Sequence, residues 1–165
     1  MTPDQPQVIA VTSADEMAAL GAALGKFVKS GDALCLVGPL GAGKTTFTRG
    51  LADGLGISDA VTSPTFVIAR RHRGPAVDLL HCDAYRIGSA DEFVDLDLDT
   101  DGAVTVVEWG QSVMAEISDS WLEVVIERSS ENDEGTRELT FSGHGDRWAS
   151  DEIVSVTKAL RQAVS

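Results

Sequence analysis

Residues Gly38-Pro39-Leu40-Gly41-Ala42-Gly43-Lys44-Thr45-Thr46 place Gly38, Gly43, Lys44 and Thr45 in the spacing G-x-x-x-x-G-K-[ST]. This is the chemistry of a polyphosphate cradle. Backbone N–H groups can wrap an anion only where no Cβ blocks the approach, and glycine provides that clearance. Lys44 is placed to reach the β- and γ-phosphates, and the Thr45 hydroxyl to hold Mg²⁺. The free N–H groups at the start of the following helix point at the same anion. The candidate nucleotide contacts in this stretch are Gly38, Leu40, Gly41, Ala42, Gly43, Lys44, Thr45 and Thr46.

Further along, an apolar run Ala103-Val104-Thr105-Val106-Val107 ends in Glu108 and Trp109. Phosphate-loop NTPases need a strand-end acid to bind the Mg²⁺ shell beside the loop hydroxyl, and Glu108 fits that place. Another apolar run ends at His81-Cys82-Asp83. Functional groups collect at strand carboxyl ends in open α/β sheets, so Asp83 is a candidate for touching a metal-bound water or the attacking one. Its plainer reading is the cap of the next turn. His81 reads as a packed histidine, since no second histidine sits at metal-ligand spacing. Thr65, in the hydroxyl-rich turn Val61-Thr62-Ser63-Pro64-Thr65-Phe66, is a candidate for sensing the γ-phosphate. Trp109 is either a packed rim aromatic or a stacking surface. Ser13 is either a helix N-cap or a residue lying over the base, and Arg147, in the loop 143–148, completes the candidate nucleotide contacts.

These groups require particular elements beneath them. Ala33 to Val37 reads as a buried strand, and Thr46 to Leu55 as a helix with Phe47, Leu51 and Leu55 on one face. Strand, loop and helix stand in the order that the motif demands. Val8 to Val11 predicts a first strand, and a helix follows from Ser13 to about Lys29 with Met17, Leu20, Leu24 and Phe27/Val28 apolar. An extended segment to about Arg71 and a strand from Ala76 to Cys82 flank Arg70-Arg71-His72-Arg73, which reads as a solvated hairpin tip or a contact for an acidic partner. The acid-rich stretch 89–101 lacks the glycine and terminal glutamate of a calcium loop and reads as a solvated helix. Residues 121–128 and 136–141 predict an antiparallel pair, and 150–164 a closing helix capped by Ser150-Asp151-Glu152. The expected fold class is α/β, a three-layer P-loop NTPase-like arrangement. Its central sheet is mixed and largely parallel with antiparallel additions, and helices lie on both faces.

The 165 residues suit one domain spanning 1–165, and 43% hydrophobic content with 5% aromatics suits a soluble α/β protein. Cys35 and Cys82 lie in apolar strand-like runs and read as reduced core thiols. No apolar run reaches membrane-spanning length, and residues 1–7 are polar, so a cytoplasmic location is expected. A net charge of −13 and a pI near 4.4 oppose independent, non-specific binding to nucleic acid.

Taken together, the motifs resemble the TsaE family (formerly YjeE/YdiB), small P-loop ATPases of bacterial tRNA threonylcarbamoyladenosine synthesis. The similarity lies in G-x-LGAGKTTF at 38–47, SPTF at 63–66, H-x-D-x-YR at 81–86, E…DL-x-L at 92–98 and VVEW at 106–109. It implies ATP or ADP and Mg²⁺ as cofactors, and homologues of TsaD and TsaB as partners that carry out the transfer, with tRNA met only through that complex. Lys44 then binds phosphate, Thr45 and Glu108 hold Mg²⁺, and Asp83, Thr65 and Trp109 belong to the catalytic or partner-facing shell. Pro39 and Asp97 depart from the family's usual aspartate and glycine. Two other readings share the loop: a small-molecule kinase, which needs an arginine-bearing lid, and a nucleotide-loaded adaptor that works without turnover.

Overall fold

The computed structural model describes residues 6–39, 41–58, 61, 69–86, 91–92, 98–130 and 133–164. The seven strands are β1 (Gln7–Val11), β2 (Ala33–Val37), β3 (Ala69–His72), β4 (Asp78–Asp83), β5 (Ala103–Glu108), β6 (Trp121–Ser130) and β7 (Asp133–His144). They form one sheet in the order β1-β7-β6-β2-β5-β4-β3. β6, β2, β5 and β4 run parallel; β7 joins β6 antiparallel and β1 joins β7 antiparallel at one edge, and β3 joins β4 antiparallel at the other. The helices are α1 (Ala14–Gly25), α2 (Lys44–Gly54), α3 (Met114–Ile117) and α4 (Ser150–Ala163). No described helix is long and apolar enough to cross a membrane.

Side chains of a strand alternate between faces, so a central strand covered on both sides must be apolar throughout. β2 obeys this: Leu34 and Leu36 enter the core under α1, α2 and α4, whereas Ala33 and Cys35 join Leu80, Cys82, Val107 and Met114 on the other face. Burial pushes the thiols of Cys35 and Cys82 up to about 12, so both are inert core groups, as their setting in the sequence predicts.

α1 begins where expected. Ser13 accepts the Glu16 N–H at 3.1 Å, and Glu16 Oε2 accepts the Thr12 N–H at 3.2 Å. It ends four residues before the expected Lys29, because the Asp32 carboxylate takes the Lys29 N–H at 2.9 Å and holds the chain in a turn. α4 also starts differently: Ala149 occupies the N-cap with no side-chain bond, and Ser150 is already helical. Only part of the basic cluster is a solvated tip. His72 is buried, and Arg71 pairs with Asp78 at 2.9 Å and donates to the Asp99 carbonyl at 3.0 Å, because both lie within β3. The Gly74 N–H and then Arg71 hold the Asp78 carboxyl below its ordinary range, so its contribution to stability persists above that range and fades only in strong acid.

α1 and α2 touch backbone to backbone. A Cβ on Gly50 would stand 2.0 Å from the Ala18 carbonyl oxygen, and one on Gly21 would stand 2.2 Å from that of Phe47. This crossing fixes the axis of the helix that carries Lys44 and Thr45. Gly50→Ala must force the helices apart, a cost that exceeds the roughly 1 kcal/mol gain in helix propensity. A loss of about 2 kcal/mol is expected, read as a fall of roughly 5 °C in melting temperature.

Candidate nucleotide-binding cleft

The loop leaves β2 after Val37 and enters α2 through Gly43, whose φ of 114° is the left-handed turn that glycine tolerates. At the same end of the sheet β5 stops at Glu108 and β4 at Asp83. Glu108 pairs in register with Leu36 of β2 on one side and with Asp83 of β4 on the other. Three neighbouring parallel strands thus deliver the loop and two carboxylates to one cleft of about 730 Å³. Pro39, Gly41, Gly43, Lys44, Thr45, Thr46, Asp83, Tyr85, Glu108 and Trp109 line it.

Both carboxylates are only 6% exposed and stand on adjacent strands, an arrangement that repels itself without a cation between or beside them. Lys44 supplies one positive charge. Its ammonium donates to the carbonyls of Gly38 at 2.5 Å and Pro39 at 3.3 Å and lies 4.8 Å from the centre of the Trp109 ring. Burial lowers the Lys44 pKa, and the Glu108 and Asp83 charges offset that shift only in part. Two carboxylates and the Thr45 hydroxyl are hard oxygen donors of the kind that suits Mg²⁺, so the residues present fit the cation that the sequence motif implies.

Trp109 is the only non-glycine at positive φ among the described residues, at 60°. Its N–H closes the end of β2 by donating to the Leu36 carbonyl at 2.8 Å, and its ring meets Tyr85 at 6.0 Å between centroids. Backbone strain of this kind persists where the surroundings over-determine it, often at a functional site. The Asp83 Oδ1 accepts the Tyr85 N–H at 3.0 Å, so the turn-capping reading and the cleft-facing reading of Asp83 are both realised.

A second hollow of about 230 Å³ adjoins the loop, between the start of α1 (Ser13, Ala14, Met17), Gly41 to Gly43 with Thr46, and Gly135 with Arg137 of β7. Ser13 therefore caps its helix and also borders the loop. Arg137 was not legible as a site residue. It lies inside a strand, and only the pairing of β7 with β1 brings it opposite Val11, next to the entry of α1.

Arg147, expected to touch the nucleotide, lies elsewhere. It forms a fork on Asp32, with Nε to Oδ1 and Nη2 to Oδ2 both at 3.0 Å, and also reaches Glu152 at 3.1 Å and the Phe27 carbonyl at 2.9 Å. Asp32 precedes β2, whereas the loop follows it, so the full strand separates Arg147 from the cleft. Its role is to clip α1, β2 and α4 together. Arg147→Ala strands a carboxylate that is 5% exposed, and should lower stability by about 3 kcal/mol. The expected result is a melting temperature lower by roughly 6–12 °C, measured by thermal melting. Leu40 and Thr65 lie outside the described residues, as do Ser63, Pro64, Phe66 and Asp97. Among the described residues no group of three or more His, Cys, Asp or Glu side chains could hold a metal, and most of the acid-rich stretch 89–101 lies outside those residues.

A glycine loop between a central parallel strand and its helix, with acids at the ends of two neighbouring strands, defines an α/β protein of the P-loop-like class. Residues 11–139 match the family model described as threonylcarbamoyl adenosine biosynthesis protein TsaE, and the chain belongs to that family. It is 47% identical to the tRNA threonylcarbamoyladenosine biosynthesis protein TsaE of Streptomyces coelicolor, over 83% of this chain and 97% of that one. It is 39% identical to the Bacillus subtilis TsaE over 81% and 84% of the two chains. The crystal structure of YdiB from Bacillus subtilis superposes with a TM-score of 0.75 at 29% identity, covering 96% of this chain and 98% of that one.

Proposed function

We propose that this chain binds ATP with Mg²⁺ in the cleft and hydrolyses it in support of tRNA threonylcarbamoyladenosine (t6A) modification, beside TsaD and TsaB homologues that perform the transfer. The observation that carries this reading is the register that sets Glu108 next to Leu36 of β2 and to Asp83 of β4, in one cleft with Lys44 and Thr45. Membership of the TsaE family supports the pathway.

In this reading the loop amides and Lys44 hold the β- and γ-phosphates, and the hollow beside Ser13 and Arg137 takes the adenosine end. Thr45 and Glu108 would hold Mg²⁺, which when bound neutralises charge on the phosphate oxygens. Water attacks the γ-phosphorus in line, a new P–O bond forms as the bond to the β–γ bridging oxygen breaks, and Asp83 orients the water and receives its proton. No arginine lines the cleft among the described residues, which accords with slow turnover until partners complete the site. Of the three arginines a kinase lid could draw on, Arg70, Arg71 and Arg73, Arg71 is tied to Asp78 and the Asp99 carbonyl, which weighs against the kinase reading.

The test is phosphate release from ATP by the chain alone and with the partner pair. Slow release that rises at least about tenfold with the pair is expected. Fast solitary release, or transfer of phosphate to an acceptor from a nucleoside and sugar panel, would contradict it.

A further inference from the structure

His81 lies on β4 two residues before Asp83, and in a strand that spacing puts both side chains on one face. Its neighbour on β5 is Val106, itself two residues before Glu108. The imidazole is completely buried, and its Nε2 stands 2.6 Å from Glu108 Oε2. A carboxylate oxygen accepts from a ring N–H, so this contact suits the tautomer in which Nε2 is the donor. Glu108 Oε1 makes no hydrogen bond among the described residues, so one oxygen is tied inside the fold and the other is left for the cleft.

The same ring is a poor choice for stability alone. Its Nδ1 is buried with no partner among the described residues, and an unpaired buried polar atom costs more than an apolar side chain of similar size. A residue that breaks the burial rule while making one short bond to a site carboxylate points to function.

We propose that His81 is a positioning residue: it fixes the orientation of the Glu108 carboxylate that the cation meets. The inference rests on the proposed reading of the cleft as a Mg²⁺–nucleotide site. Partners of this kind around metal-binding carboxylates typically alter metal affinity by about 10- to 100-fold.

The test measures ATP binding by calorimetry as Mg²⁺ is varied and again in chelator, with a melting curve for each variant. His81→Gln keeps an N–H donor near the place of Nε2, His81→Asn holds its donor short of it, and His81→Leu has none. For Leu and Asn, the half-saturating Mg²⁺ concentration should rise at least about tenfold, while the chelator-measured affinity of the folded variant stays close to wild type. Gln should remain within about threefold of wild type. If Leu does not fold, the Gln and Asn variants decide the matter. Equal behaviour of Gln and Asn overturns the proposal, as does a loss of metal-free nucleotide affinity matching the loss with Mg²⁺, which would mark a merely structural role. Mg²⁺ dependence in the wild type that the variants leave unchanged overturns this inference and spares the cleft. Absence of Mg²⁺ dependence in the wild type itself overturns the reading beneath both.

Discussion

Lys44→Ala is expected to weaken ATP binding by at least about 100-fold and to abolish t6A formation when the pathway is reconstituted with its first-step synthase and the partner pair. Truncating one member of a buried, hydrogen-bonded charge pair typically costs 2–5 kcal/mol of binding, and the Lys44–phosphate contact is of that type. The fold should survive the change. Removing the ammonium ends the burial cost that lowers the Lys44 pKa but leaves Glu108 and Asp83 without the charge that offsets them, so a small net loss of stability is expected. Calorimetric ATP titration beside a melting curve checks both halves: lost affinity with a melting temperature within a few degrees of wild type. Lost affinity with a collapsed melting temperature would instead mark Lys44 as structural.

Glu108→Gln and Asp83→Asn should separate binding from turnover. The amide at position 108 keeps the volume and leaves an oxygen to accept from His81, but removes the charge that faces the cation. Mg²⁺ should then no longer strengthen ATP binding, and hydrolysis should fall by roughly two orders of magnitude or more. Asn at position 83 still offers Oδ1 to the Tyr85 N–H, so the turn stands. It should retain Mg²⁺-dependent binding while partner-stimulated hydrolysis falls by about 10²- to 10⁴-fold, the usual reach of a positioned base. Single-turnover phosphate release together with nucleotide titration reads the split. Normal t6A formation by both variants, with ATP still bound, would favour an adaptor that needs no turnover.

The part of the cleft that could be read from the chain is the part encoded locally. Ala33–Val37, the loop and its helix are contiguous, and the strand ending in Glu108 shows as an apolar run that stops at an acid. What lay beyond reach depends on strand order and register. Nothing near position 137 says that β7 lies between β1 and β6, yet that order brings Arg137 to the loop. Arg147 stands in the loop 143–148 as a candidate nucleotide contact, and only the fold shows its fork on Asp32 at the far end of β2. His81 was legible as a packed histidine, and its bond to Glu108 needed the β4–β5 register. The spacing of Gly21 with Gly25 and Gly50 with Gly54 is visible in the chain. Its meaning, two helices in backbone contact, emerges only when α1 and α2 are seen to cross.

One titration tests the central claim most directly: ATP into the wild-type chain, once with Mg²⁺ and once with chelator. If Lys44, Thr45, Asp83 and Glu108 form one nucleotide–cation site, ATP binds at one site per chain and at least about tenfold more tightly with Mg²⁺, a difference of roughly 1.4 kcal/mol. No binding, or binding that Mg²⁺ leaves unchanged, would contradict the account.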